Sequence, residues 1–196
     1  AFLQYATERF EATDPALLRA GAYPVESSAY YWQSWIQKPA VNRIKTGFFL
    51  LYGGFRGAIP FQYICVPHSP SEYYDPFTED SETLDSPYRR LCTVYPEREG
   101  VIDTVQWEAY REGVDDLRYA LTLEQELITN PCGVPDALRT SIGAQLRGIV
   151  ASYATFDYTG VPVKDLAIDG ALSVSLDADR AWIIDRILEL KSYCLP

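Results

Sequence analysis

The spacing of apolar residues divides the chain into stretches of different kinds. Phe2, Leu3, Ala6 and Phe10 share a helical face and predict a short helix over residues 2–11, broken at Asp14-Pro15. LLRAGAYPV, residues 17–25, predicts a short strand running into a loop. Polar Glu26-Ser27-Ser28 follows, then an aromatic segment with Tyr30, Tyr31, Trp32 and Trp35. Pro39 suits the first turn of a helix. Val41, Ile44, Phe48 and Leu51 then form one apolar helix face, and Gly53-Gly54 ends it. The apolar run over residues 57–64, flanked by turn residues, predicts a buried strand, although Pro60 cannot donate to a sheet ladder.

Residues 66–100 read as a long loop with a short strand over residues 91–95. A strong helical pattern follows. Asp103 is positioned to cap it, with Gln106 three residues on, and Trp107, Tyr110, Val114, Leu117 and Leu121 make the expected inward face. Asn130-Pro131-Cys132-Gly133 stops it. Two more helices are predicted, over residues 135–153 and 176–191, with an irregular stretch over residues 156–173 between them.

The polar side of the long helix poses the chemical question. Glu108, Arg111, Glu112, Asp115, Asp116 and Arg118 crowd together there, and each acid has an arginine within one turn. A carboxylate beside arginine is held ionised, which suits an ion pair and not a general acid. The expectation is therefore structural: the cluster holds a helix in place, and Arg43 pairs with an acid instead of meeting a ligand. Gly113 fits the same view. A glycine inside a helix costs about 1 kcal/mol relative to alanine, which implies close approach by another element.

Strand–helix–strand–helix order predicts parallel βα units, hence an α/β fold. Only two such units can be read. Two strands do not make an independent sheet, and a (β/α)₈ barrel typically takes about 250 residues. Either chain outside this sequence completes the sheet, or more strands exist than the pattern reveals. The sequence contains no Met and opens without a signal-like segment, so a piece of a longer or processed polypeptide is expected.

Composition removes several functions. The net charge of −10, with Arg89-Arg90 as the only basic pair, argues against nucleic acid and anionic membranes as partners. No apolar run approaches the roughly 20 residues that span a bilayer. One histidine, His68, and four cysteines without a C-x-x-C pair leave no recognisable metal site, and no cofactor motif is present. Four cysteines allow three pairings, which sequence cannot choose among; secretion or a periplasmic location is slightly favoured over four reduced thiols. Fifteen Tyr and four Trp provide faces and hydroxyls suited to sugars, although core packing accounts for most of them.

Two segments carry a resemblance. One holds Tyr31-Trp32-Gln33, residues 38–43 (KPAVNR), Gly47-Phe48-Phe49-Leu50 and residues 55–63 (FRGAIPFQY). The other holds Val94-Tyr95-Pro96 and residues 103–119 (DTVQWEAYREGVDDLRY). Together, over roughly residues 17–127, they resemble the C-terminal part of barrels related to glycoside hydrolase family 123. In that group a pattern like R-W-E-x-x-R-E-G-I-E-D-Y-E-Y opens the last barrel helix. Val114, Asp115 and Leu117 depart from it conservatively, and Phe61 stands where the group usually has Trp.

The resemblance implies the last βα units of a TIM-type (β/α)₈ barrel over residues 1–130, with a helical extension over residues 131–196 packed on it. It implies hydrolysis of N-acetylhexosaminides through the substrate's acetamido group, assisted by an adjacent Asp-Glu pair. No Asp-Glu dipeptide occurs in this sequence, and Glu79-Asp80 has the reverse order. Catalytic carboxylates are thus expected on chain upstream, with the remainder of the barrel as partner. The expected substrate-binding residues are Tyr23 and Glu26 after the first predicted strand, Trp32 as a stacking platform, and Gln62 and Tyr63 at the end of the second. Two other functions compete: a non-catalytic carbohydrate-binding or assembly module, and a self-contained hydrolase pairing Glu26 with an acid from residues 71–85.

Overall fold

The computed structural model describes residues 2–5, 27–31, 39–55, 57–60, 93–130, 132–154 and 166–194. Three strands, β1 (Phe2–Tyr5), β2 (Ser27–Tyr31) and β3 (Gly57–Pro60), form a sheet in the order β1-β2-β3. Both pairings are parallel, with Phe2 opposite Ser27 and Ser28 opposite Gly57. Parallel neighbours require crossover connections. The one between β2 and β3 holds two helices, α1 (Pro39–Thr46) and α2 (Phe48–Gly53). The α/β character of the chain is therefore present, and of the three strands of this sheet β3 alone coincides with a predicted one.

Several elements differ from expectation. Phe2–Tyr5 is a strand, not the start of a helix. Four residues are too few for period to decide, and pairing with β2 decides instead. Residues 17–25 lie outside the described residues, and the strand found nearby is Ser27–Tyr31. Its Tyr30 and Tyr31 are of the aromatic type that suits a pleated surface. Pro60 is the last residue of β3, where a missing donor costs least. An antiparallel hairpin of β4 (Val94–Glu97) and β5 (Gly100–Asp103) leads into the long helix.

That helix, α3, spans Val105–Thr129. Its cap is Thr104, not Asp103: the Thr104 hydroxyl accepts from the Gln106 and Trp107 amides at 3.2 and 3.3 Å. At the other end Asn130 adopts φ 45°, and its side chain both accepts from and donates to the Val134 backbone. Arg139 Nε adds a bond to the Leu127 carbonyl at 3.0 Å, which satisfies an orphan acceptor in the last turn. The two remaining helices are α4 (Asp136–Ala154) and α5 (Leu166–Ser192). The latter begins inside the stretch expected to be irregular, since Gly170 is accommodated within the helix.

The apolar core lies between helices. Ile44 and Phe48 meet Leu123 of α3, Leu146 of α4 and Leu176 and Ile183 of α5 in one buried cluster. Phe48 stacks on Tyr153 with ring centroids 5.4 Å apart. The α2 helix ends at Gly54, φ 67°, with the Phe55 amide bonding back to the Leu50 carbonyl at 3.0 Å and its ring stacked on Phe49. A disulfide joins Cys132, in the α3–α4 connection, to Cys194 just beyond α5, across 62 residues of sequence. By loop-closure entropy such a link is worth about 4 kcal/mol. Cys65 and Cys92 lie outside the described residues.

Candidate functional site

The face that α3 buries is partly the expected one: Tyr110 is in the core, and Trp107 and Leu117 pack against it. Gln106, Ala109, Tyr110, Gly113, Asp116, Ala120, Leu123 and Leu127 are buried, whereas Val114 and Leu121 are exposed. Val114 and Leu121 lie one position beyond Gly113 and Ala120, which make the contact instead. The reason is the crossing with α1, which is too close for large side chains. A Cβ on Gly113 would overlap Thr46 Oγ1 and the Arg43 carbonyl. One on Gly47 would lie 2.9 Å from the Gly113 carbonyl oxygen and 3.0 Å from that of Arg43. Two glycines thus let two backbones touch, as Gly113 alone led one to expect.

An ionic hub sits beside this crossing. Asp116 is 1% exposed. Its Oδ2 accepts from Arg43 Nε at 2.6 Å, and its Oδ1 accepts from Arg43 Nη2 at 3.1 Å and from Arg180 Nε at 2.5 Å. Arg180 also donates to the Glu112 side chain and, at 2.7 Å, to the Glu112 carbonyl. Arg43 Nη1 reaches Asp177 at 2.6 Å. Burial disfavours both guanidinium charges, but the hydrogen bonds and charge of Asp116, with Asp177 for Arg43 and Glu112 for Arg180, outweigh it and raise both pKa values. Beside the hub Tyr153 donates to Asp179 Oδ2 at 2.7 Å; burial, then that hydrogen bond, push its phenol well above the ordinary tyrosine range.

This geometry answers the question of the acidic cluster. Both Asp116 oxygens accept from guanidinium donors in the interior, which commits this carboxylate to joining the helices. The outer pairs, Glu108–Arg111 and Asp115–Arg118, are exposed single-turn contacts of small energetic weight. The expectation that Arg43 pairs with an acid is met. Asp177 and Arg180 were not foreseen, although both lie within the helix predicted over residues 176–191. The buried amide pair Asn42 and Gln106, with Asn42 donating to Gln106 Oε1, was also missed, because nothing in sequence distinguishes a buried amide from an exposed one.

The five residues expected to bind substrate, Tyr23, Glu26, Trp32, Gln62 and Tyr63, all lie outside the described residues. Their sequence positions relative to the strands are still informative. Trp32 directly follows Tyr31, the end of β2, and Gln62 and Tyr63 follow Pro60, the end of β3. In parallel α/β folds ligands gather at strand C-terminal ends. Tyr23 and Glu26 instead precede β2, so the argument that put them after a strand is replaced by one for the N-terminal side of β2. Among the described residues no group of three His, Cys, Asp or Glu side chains could hold a metal ion, and no helix is long and apolar enough to cross a membrane. The chain matches no protein-family model, no curated protein and no solved structure.

Proposed function

We propose that this chain is the C-terminal portion of a glycoside hydrolase-like (β/α)₈ barrel, contributing to a sugar-binding cleft while an Asp-Glu pair on other strands does the chemistry. The observation that carries this reading is the strand order. Three strands, consecutive among the described residues, lie side by side in sequence order and all parallel. With crossovers of one hand, that order puts every connecting helix on one face of the sheet, as barrel closure requires. The helices agree: the contacts Asn42–Gln106 and Thr46–Gly113 advance together, so α1 and α3 run in the same sense, as neighbouring barrel helices do. In this reading Trp32 and Tyr63 offer sugar-stacking faces at strand ends, Gln62 hydrogen-bonds hydroxyls, and residues 131–196 brace the outer helices.

The hub supports the division of labour. The buried acid of this region, Asp116, is committed to holding α1, α3 and α5 together, so this part of the fold acts as scaffold. The test compares hydrolysis of aryl N-acetylhexosaminides by the polypeptide from the complete reading frame with hydrolysis by these 196 residues. Turnover by the former and none by the latter is expected; equal turnover, or none by either, sinks the proposal. Glycan binding by the 196-residue chain, lost on Trp32→Ala or Tyr63→Ala and unaccompanied by turnover in either form, identifies a binding module instead.

A further inference from the structure

Three ties gather the ends of α3 and α5 and the start of α4. Arg139 Nε of α4 bonds the Leu127 carbonyl of α3, and Lys191 of α5 lies 3.7 Å from Glu126 of α3. The Cys132–Cys194 disulfide joins the α3–α4 connection to the turn that follows α5. The two that hold α5 differ in strength. Lys191–Glu126 is a surface pair at long range and contributes little. The disulfide is covalent. Leu190 is the last buried residue of α5, and Lys191, Ser192, Tyr193 and Cys194 beyond it are exposed. The Tyr193 and Cys194 amides bond to the Leu190 and Lys191 carbonyls at 3.3 and 3.0 Å, bonds internal to that turn. Among the described residues, the disulfide is therefore the strong link between this turn and the rest of the fold.

Further back, α5 has a second anchor. Arg180 is bonded to Asp116 and Glu112 about four helical turns before Cys194, and Ile183 and Ile187 pack in the core between them. Opening the disulfide thus leaves the middle of α5 in place and frees its end. The two sulfurs are unlike. Cys132 is half-buried against the core, whereas Cys194 is exposed and open to a thiolate from solvent. Exposed disulfides form the labile class. We propose that Cys132–Cys194 is a redox-sensitive latch, which a small dithiol opens in the folded protein. One thiolate of the dithiol attacks Cys194 Sγ, and Cys132 leaves as a thiolate when the protein's S–S bond breaks. The second thiolate attacks the dithiol's own sulfur in the mixed disulfide, closes a cyclic disulfide and expels Cys194. Two electrons pass to the protein, and the two protons of the dithiol end on Cys132 and Cys194. The hub is the permanent anchor of α5 and the latch the conditional one, so order at the helix end follows the thiol poise of the surroundings.

The experiment uses the polypeptide from the complete reading frame at neutral pH, with dithiothreitol as the dithiol. Freed thiols are alkylated and read peptide by peptide, which separates Cys132 and Cys194 from Cys65 and Cys92. The opening rate is expected to rise in proportion to dithiothreitol concentration while circular dichroism stays native. Amide exchange should then quicken about tenfold or more over residues 187–194 and 132–134 and change less than about twofold over residues 106–120. Oxidised glutathione, added after dithiothreitol is removed, should restore the slow exchange. Cys194→Ser should show the fast exchange without reductant and respond to it no further. An opening rate independent of dithiothreitol, set by unfolding, overturns the latch. So does opening that leaves exchange unchanged, or that loosens residues 106–120 as well. Should Cys194→Ser fail to fold, native protein reduced and alkylated at Cys132 and Cys194 gives the same comparison.

Discussion

Along α3, Gln106, Gly113 and Asp116 meet α1 and α5 through small and charged groups. A few turns on, Ala120, Leu123 and Leu127 enter an apolar cluster with Ile142, Leu146 and Ile183. The apolar half supplies adhesion and tolerates modest changes of shape. The other half allows little variation. Two glycines fix how closely α1 and α3 approach, and a fork of guanidinium bonds to Asp116 fixes their rotation and ties both to α5. Hydrophobicity holds the helices together; the buried hub selects one arrangement among those that hydrophobicity would accept.

The most damaging way to break this arrangement is Asp116→Ala. It leaves Arg43 buried and Arg180 half-buried, with Asp177 and Glu112 as their remaining partners. Stability should fall by about 3–5 kcal/mol, read from urea denaturation midpoints at constant m. The triple replacement Arg43→Met, Asp116→Leu, Arg180→Met should recover most of that loss, because no charge is then stranded. If Asp116→Ala costs under about 1 kcal/mol, the hub is solvated and the contrast with the apolar half collapses.

Gly113→Ala comes next. A methyl group there overlaps Thr46 Oγ1 and the Arg43 carbonyl, so the helices must separate and stretch the guanidinium fork. The expected loss is about 1–3 kcal/mol. Gly148→Ala on α4, where an added Cβ meets nothing within 4 Å, should instead gain about 0.4–1 kcal/mol. A loss at both positions, or at neither, would remove the close crossing as an explanation.

What sequence disclosed follows the same division. Helix positions governed by apolar period were legible: Val41, Ile44 and Phe48 are buried as expected, and Leu51 is half-buried against the core. So was the logic of Gly113 and Arg43, because a helical glycine and a cluster of paired charges each imply a neighbour. Within α3, Val114 and Leu121 were misread as inward because small and ion-paired residues, not the largest apolar ones, line the crossing. The start of α5 at Leu166 was missed because Gly170 reads as a breaker when tertiary support cannot be seen. Phe2–Tyr5 was missed because a four-residue strand acquires its identity from its partner. The candidate sugar contacts rest on strand ends alone, since no periodic signal marks a binding loop.

The smallest of these effects is also the most specific. Tyr153 stacks on Phe48 and donates its hydroxyl to Asp179, joining the apolar half to the neighbourhood of the hub. Tyr153→Phe keeps the stacking and removes only the hydrogen bond, so at neutral pH it should cost about 0.5–1.5 kcal/mol. The phenol is held above its ordinary range by burial and by the Asp179 bond, so the folded state keeps its proton to higher pH than the unfolded chain does. The unfolded phenol ionises near pH 10, and from there upward the unfolded state binds fewer protons than the native state. Stability contributed by Tyr153 is therefore complete below about pH 10 and is lost as pH rises beyond it. Other tyrosines and lysines titrate in both proteins and cancel in the difference. The gap between wild type and Tyr153→Phe should thus be constant from about pH 7 to 9 and close above about pH 10. Parallel alkaline limbs would mean that Tyr153 is wet, and that the hub and the apolar cluster meet through solvent instead of through a buried hydroxyl.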